Sequence, residues 1–214
     1  MPRDARRAQV LSVAQDLFTS EGFHHVSMDD IAERAAVSKP VLYRHFPSKL
    51  DLYLAVVDLR GAELLAAVEL AVAPLLHRPE QPADAQQVVA AVVQAYVDFV
   101  ESAGESATLL FESDVTHDAD VRTRVERSTA GAAQRIAQAL VEVARLPAPH
   151  ATVLAVGITA MAQAAATYRY RTTDVPTAQQ TADLVSRFVW CGVSGLMDHP
   201  VAEGGGAGAS AGSA

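Results

Sequence analysis

The chain has almost none of the residues that would staple it together or give it metal or covalent chemistry. Among its 214 residues there is one cysteine, Cys191. An intrachain disulfide is therefore excluded, and the thiol reads as a buried, inert packing residue beside Trp190 and Val193. None of the histidines forms a His-x-x-x-His pair. The cluster Asp114, His117, Asp118 and Asp120 reads as capping and turn formation rather than a metal site. No serine sits in the strand-to-helix elbow that activates a nucleophile, and no glycine loop leads into a helix to cradle phosphate. An enzyme is thus the remote reading, with no cofactor and no metal expected. No uninterrupted apolar run is long enough to span a bilayer, although half the residues are hydrophobic. Met1 to Arg7 is polar and Val10 to Phe18 is amphipathic, unlike a secretory leader, so the expected place of action is the cytoplasm.

Positive charge is also scarce, and it is unevenly placed. The formal net charge is −8. Residues 1–50 hold seven Lys/Arg against six Asp/Glu, a net of +1, whereas residues 51–214 hold ten against nineteen, a net of −9. The acidity therefore belongs to the C-terminal part, where it opposes non-specific adhesion to nucleic acid and leaves any such contact to the first fifty residues.

Those residues carry the most specific pattern in the chain, between Val26 and Lys49. Ser27 is placed to cap a short helix, with Asp29 and Asp30 in its first turn, where the helix dipole favours carboxylates. Ile31, Ala32 and Ala35 give that helix one apolar face, and Ala36 and Val37 form a turn. Ser38 is placed to cap a second helix, with Pro40 in its first turn, where a missing N–H is tolerated. Leu42 and Phe46 face inward at i, i+4 spacing. Lys39, Val41, Tyr43, Arg44 and His45 are left to face outward. This is the pattern of a helix-turn-helix, whose second helix enters the DNA major groove. Lys39, Arg44 and Lys49 can meet phosphates or guanine edges, Tyr43 can donate to a phosphate, and Val41 can touch a thymine methyl. Lys49 also stands at the start of a further helix capped by Ser48 and Asp51, where free amides favour an anion. The expected DNA-contacting set is Ser27, Ser38, Lys39, Pro40, Val41, Tyr43, Arg44, His45 and Lys49.

The segment resembles the TetR family of bacterial transcriptional regulators. The resemblance rests on Phe18, Gly22, Phe23, Val26, Ser27, Met28, Ile31, Ala32, Ala35, Val37, Ser38, Leu42, Tyr43, His45, Phe46, Ser48, Lys49 and Leu52, about the first quarter of the chain. Two departures stand out. Ala36 replaces a usual glycine in the turn, which forces a Cβ into a left-handed conformation or shifts the turn. Pro40 replaces another frequent glycine.

The rest of the chain reads as helices. The first runs from about Pro2 to Ser20, and Arg3, Arg6 and Arg7 near its start run against the dipole preference; they read either as an N-terminal arm reaching phosphates or as a merely solvated end. A long helix extends from Ser48 towards Leu76. Others start near Asp84 and run over 119–145, 150–171 and 177–197, with a short apolar piece at 108–115 and a proline loop at 77–82. The last two helices carry small residues (Gly157, Ala160, Ala164, Ala165, Gly192, Gly195) among apolar ones, which lets helix axes approach closely.

The resemblance implies an all-α protein of about nine helices. It would have a helix-turn-helix head over 1–47, a ligand-binding and dimerisation body over 48–200, and a Gly/Ala/Ser tail over 201–214. It implies a homodimer through helices 150–171 and 177–197, a palindromic DNA operator, and release by a hydrophobic or amphipathic effector. An apolar pocket would draw on Tyr96, Phe99, Leu110, Phe111, Met161, Tyr168, Phe188 and Trp190, with Glu112, Gln163 and Thr159 as polar anchors. The function implied is a ligand-responsive repressor. A ligand-independent regulator or an activator is the alternative.

Overall fold

The computed structural model describes residues 3–76, 84–111 and 119–198. Among these residues there are helices and no strands: α1 Arg3–Glu21, α2 Met28–Arg34, α3 Lys39–His45, α4 Lys49–Leu76, α5 Ala85–Ala103, a 3-10 turn Gly104–Ala107, α6 Thr108–Phe111, α7 Ala119–Ala144, α8 Ala148–Arg171 and α9 Ala178–Asp198. The all-α expectation holds. The loop at 77–82, Glu112, the cluster Asp114, His117 and Asp118, and the tail lie outside the described residues.

The head forms because α1, α2 and α3 turn their apolar residues to one another, at one end of a core that continues into the later helices. Val10, Leu11, Ala14, Leu17 and Phe18 of α1 are buried. They meet Ile31 and Ala32 of α2, Leu42 of α3 and Phe46 just beyond it. Gly22, at φ 81°, ends α1 in a conformation that favours glycine. The arginines near the N-terminus belong to α1 itself, which is already helical at Arg3.

α2 is fixed at both ends. The Asp30 amide donates to Ser27 Oγ at 3.1 Å, and the Ser27 amide donates back to the Asp30 carboxylate at 2.9 Å, a complete capping box. At the other end Val37 N–H donates to Ala32 O at 2.9 Å and Ala36 N–H to Glu33 O at 3.0 Å. These are the two bonds of a Schellman motif, and its left-handed position is Ala36, at φ 50°. The turn therefore keeps its shape and strains the alanine. Replacing Ala36 with glycine is expected to stabilise the protein by about 1 kcal/mol, the left-handed penalty less the added freedom of the unfolded chain. A higher thermal midpoint with unchanged helix content would show it; a lower midpoint would mean the turn does not carry that strain.

The body is organised around α5, which buries Val88, Val89, Val92, Val93, Ala95, Tyr96, Val97, Phe99 and Val100. Its apolar face is wide, and a stripe that includes Gln87, Gln94, Asp98 and Glu101 is left towards solvent. It packs against α4, α7, α8 and α9. α8 begins at Ala148, two residues before the expected start, because Pro149 falls in its first turn where proline is tolerated.

α8 also corrects the reading that no segment is long and apolar enough for a bilayer, since it passes that test of length and composition. Its apolarity is two-sided. Ala151, Ala155, Ile158, Ala162 and Ala166 are buried in the body, while Val153 is 72%, Val156 55% and Tyr168 65% exposed. α9 repeats the arrangement: Ala182, Val189 and Val193 are buried, whereas Leu184 is 56% and Phe188 70% exposed. Cys191 lies on this outer side, so the expectation of a buried thiol is overturned. Its neighbour Val193 turns inward, and at 100° per residue position 191 points elsewhere.

Candidate nucleic-acid interface

α3 presents its residues as the spacing predicts. Leu42 and Phe46 are buried, Val41 and His45 are half-buried, and Lys39, Pro40, Tyr43 and Arg44 are exposed. The turn that aims α3 is held from α1, where the Gln9 side-chain amide donates to Ala35 O at 3.1 Å. Ser38 occupies the N-cap position, yet its side chain makes no capping bond, which corrects the expected role. Its hydroxyl stands exposed at the head of α3.

Three of the expected DNA contacts, Ser27, Lys39 and Lys49, are engaged within the protein. Ser27 Oγ donates to the Asp30 carboxylate at 2.6 Å while it caps α2, and these bonds hold the Asp30 carboxyl below its ordinary pKa. Lys39 Nζ pairs with the Asp29 carboxylate at 2.7 Å across the turn, which raises the lysine pKa. Both partners of that ion pair are well exposed, so its contribution to stability is small, and a phosphate can compete for the ammonium.

Lys49 is placed differently from the expectation. Its ammonium donates to Phe23 O at 2.7 Å and to Val26 O at 2.8 Å, and lies 4.4 Å from the Phe23 ring centroid. It ties the α1–α2 loop to the start of α4 and does not project as a free phosphate ligand. The Phe23 ring continues into an aromatic cluster, 5.8 Å from Phe18 and 5.1 Å from Tyr53, with Phe18 and Tyr53 at 5.3 Å. This cluster joins the head to α4. The sequence carried a signal for it in the three aromatics, but no local spacing links Phe23 to Tyr53.

The expected effector residues are brought together only in part. Phe111 lies against both Tyr96 (centroids 6.5 Å, stacked) and Phe99 (6.0 Å, edge-on). Tyr96 is buried, faces Thr159 of α8, and has its pKa raised, with burial as the main cause. Leu110 is buried beside this group in sequence, Met161 and Trp190 pack on the edge of the core, and Gln163 is half-buried. Tyr168 and Phe188 do not belong with them. They stand on the outer faces of α8 and α9, which corrects their assignment to an interior pocket. Aromatic residues on helices that are apolar on two sides gave no indication of which side each faced.

The first two helical turns of α1 and the end of α3 complete the head's basic face. Arg3, Arg6, Val41, Arg44 and His45 line one open groove of about 530 Å³.

Comparison with known proteins agrees with this geometry. Residues 10–56 match the family described as bacterial regulatory proteins, tetR family. The chain is 35% identical over 195 residues to the HTH-type transcriptional activator FasR of Mycolicibacterium smegmatis, covering 91% of this chain and 85% of FasR. A TetR-like transcriptional regulator from Rhodococcus sp. RHA1 superposes with a TM-score of 0.69 at 25% identity, over 91% of this chain and 99% of that one. The fold is shared with the transcriptional regulator FadR from Bacillus subtilis, solved in complex with stearoyl-CoA, at a TM-score of 0.67 and 15% identity, over 85% of this chain and 96% of FadR. A likeness to FasR that runs through head and body alike makes this chain a member of the tetR family of bacterial regulatory proteins, a DNA-binding transcriptional regulator.

Proposed function

We propose that the protein acts as a homodimer on a palindromic operator and is released from it by a hydrophobic or amphipathic small molecule held in the body. The observation that carries this reading is the division of α3 into a buried side, Leu42 and Phe46, and an exposed side, Lys39, Tyr43 and Arg44. An operator dimer places two such helices in successive major grooves. Dimerisation through α8 and α9 is supported by their exposed apolar faces. Gly157 and Gly192 support it too, since a Cβ added at either would meet nothing within 4 Å in its own subunit. Glycines that no contact within the subunit requires suit a close approach by a second copy.

The effector reading rests on Tyr96, Phe99, Leu110 and Phe111, with the hydroxyls of Tyr96 and Thr159 as polar anchors. Met161, Gln163 and Trp190 border it, and Glu112 is a further candidate from the sequence. FadR, with the same fold, holds stearoyl-CoA. An acyl chain is accordingly the ligand class to try first. Coupling to DNA would run through Tyr53, whose O–H donates to Leu109 O of α6 at 3.4 Å while its ring packs on Phe18 and Phe23. A ligand that displaces α6 moves Tyr53, and with it the head relative to α4. It shifts the population only if it binds the DNA-incompetent state more tightly. The division into a head over 1–47 and a body over 48–200 suits this coupling, with α4 running between them. The reading places the protein in the cytoplasm, where its DNA is.

A repressor is the first reading of the regulatory sense. The activator reading has its own support, because FasR is named an activator. The test begins with a duplex that the purified protein selects from a random-sequence pool. Native mass spectrometry should give twice the protomer mass and a co-purified ligand, and long-chain acyl-CoA should lower affinity for the selected duplex. A monomer, or no response across acyl-CoAs and a drug library, would return the protein to a ligand-independent regulator. A reporter behind the selected duplex decides the sense: expression rises on gene deletion for a repressor and falls for an activator.

A further inference from the structure

The groove between α1 and α3 holds more positive charge than the fold can use. Arg3 and Arg6 come from α1, and Arg44 and His45 from α3. Arg3 and Arg44 make no ion pair among the described residues, and Arg6 reaches only the neutral Gln9 Oε1, at 3.3 Å. Arg7 adds a fourth guanidinium beside them, 5.1 Å from the Phe46 ring centroid. No carboxylate lines the groove, although Asp4 is near enough to act on His45. Helix stability accounts for Arg44 and His45, in the last turn of α3, but not for Arg3 and Arg6, since cations at a helix N-terminus oppose its dipole. A concave surface with several unpaired guanidiniums is suited to an anion with oxygens in several directions. It adjoins Val41 and Arg44, residues of the DNA-facing helix itself.

We propose that this groove seats a backbone phosphate of duplex DNA flanking the bases read by α3, and that His45 takes up a proton as the phosphate enters. The proposal rests on the DNA-binding reading and adds to it a second contact, from α1, and a linkage to pH. The sign follows from the groups that face His45. In the free protein partial burial and then Arg3, Arg44 and Arg7 hold its pKa below the ordinary histidine value, with Asp4 acting in the opposite sense. A phosphate cancels the field of the arginines, so the bound state binds the proton more tightly than the free one. Affinity therefore rises as pH falls through the range just around and below 6.5, and levels off once the free protein is itself protonated.

Fluorescence anisotropy of the full-length protein, on a duplex it has selected from a random-sequence pool, tests both parts. The double variant R3Q/R6Q should bind selected and unrelated duplexes alike roughly tenfold more weakly at low salt, with the salt slope smaller by about 1. The wild type should bind roughly fivefold more tightly at about pH 6 than at about pH 7.5, and H45Q, though weaker, should lose that dependence. Circular dichroism checks that each variant is folded. If R3Q/R6Q keeps both affinity and salt slope while the wild type binds its duplex, the groove does not touch DNA and the proposal falls alone. Identical pH dependence in wild type and H45Q would overturn the proton uptake. A wild type that selects no duplex would overturn the DNA-binding reading and this proposal with it.

Discussion

Replacing Phe188 with glutamate is expected to leave a folded monomer that no longer holds its operator. Phe188 is 70% exposed in the protomer, so the substitution removes little from the core. In a two-fold dimer the same position recurs on both sides of the interface, and each new carboxylate would be buried without a partner. The desolvation cost is several kcal/mol per dimer, enough to oppose the burial of neighbours such as Val156 and Leu184, each worth about 1.5–3 kcal/mol when fully covered. Once the heads are no longer linked, each half-site is bound alone and apparent operator affinity should fall by roughly two orders of magnitude or more. Sedimentation should show the monomer mass, with an unchanged circular dichroism spectrum. Cys191 supplies an internal check: on the same outer side of α9, it should be slow to react with a thiol reagent in the wild type and fast in F188E. L184E should behave in the same way. A dimer that survives both changes would place the interface elsewhere.

The second large effect concerns Lys49. If it were a phosphate ligand, K49M would leave stability untouched and lower the salt slope of DNA binding by about 1. Its two bonds to Phe23 O and Val26 O and its place over the Phe23 ring lead to the opposite expectation. Methionine keeps the stem but removes the ammonium, leaving two loop carbonyls without their donor. The cost should be about 2–3 kcal/mol, from charge-assisted hydrogen bonds and a cation–π contact. Thermal or urea unfolding would show it directly. An unchanged midpoint with a reduced salt slope would restore the phosphate role.

Lys49 also shows where sequence reading stops. What could be read from residues 1–50 was local: caps, turn and the i, i+4 face of α3 all depend on neighbours within a few positions. The Ser27 cap and the strained Ala36 were legible for that reason. The bonds of Lys49 reach back 26 and 23 residues, and no periodicity encodes them. The body is less legible still. Helices α8 and α9 are apolar on two sides, so pattern alone cannot divide core from outer face. Tyr168, Phe188 and Cys191 were accordingly assigned inward and stand outward. Tyr96 was placed correctly in the interior, but its contact with Thr159 depends on how α5 crosses α8 and could only be seen in three dimensions.

The basic groove sits on the head, whereas residues 51–214 carry a net charge of −9. A molecule charged in this way has a strong dipole along the line from body to head. In the field of a polyanion such a dipole experiences a torque before any contact is made. The acidic body is turned away and α3 is turned towards the duplex, so encounters are biased to arrive head first. Specific recognition would then be preceded by orientation rather than by prolonged non-specific residence, and its on-rate would fall steeply as salt shortens the reach of that field.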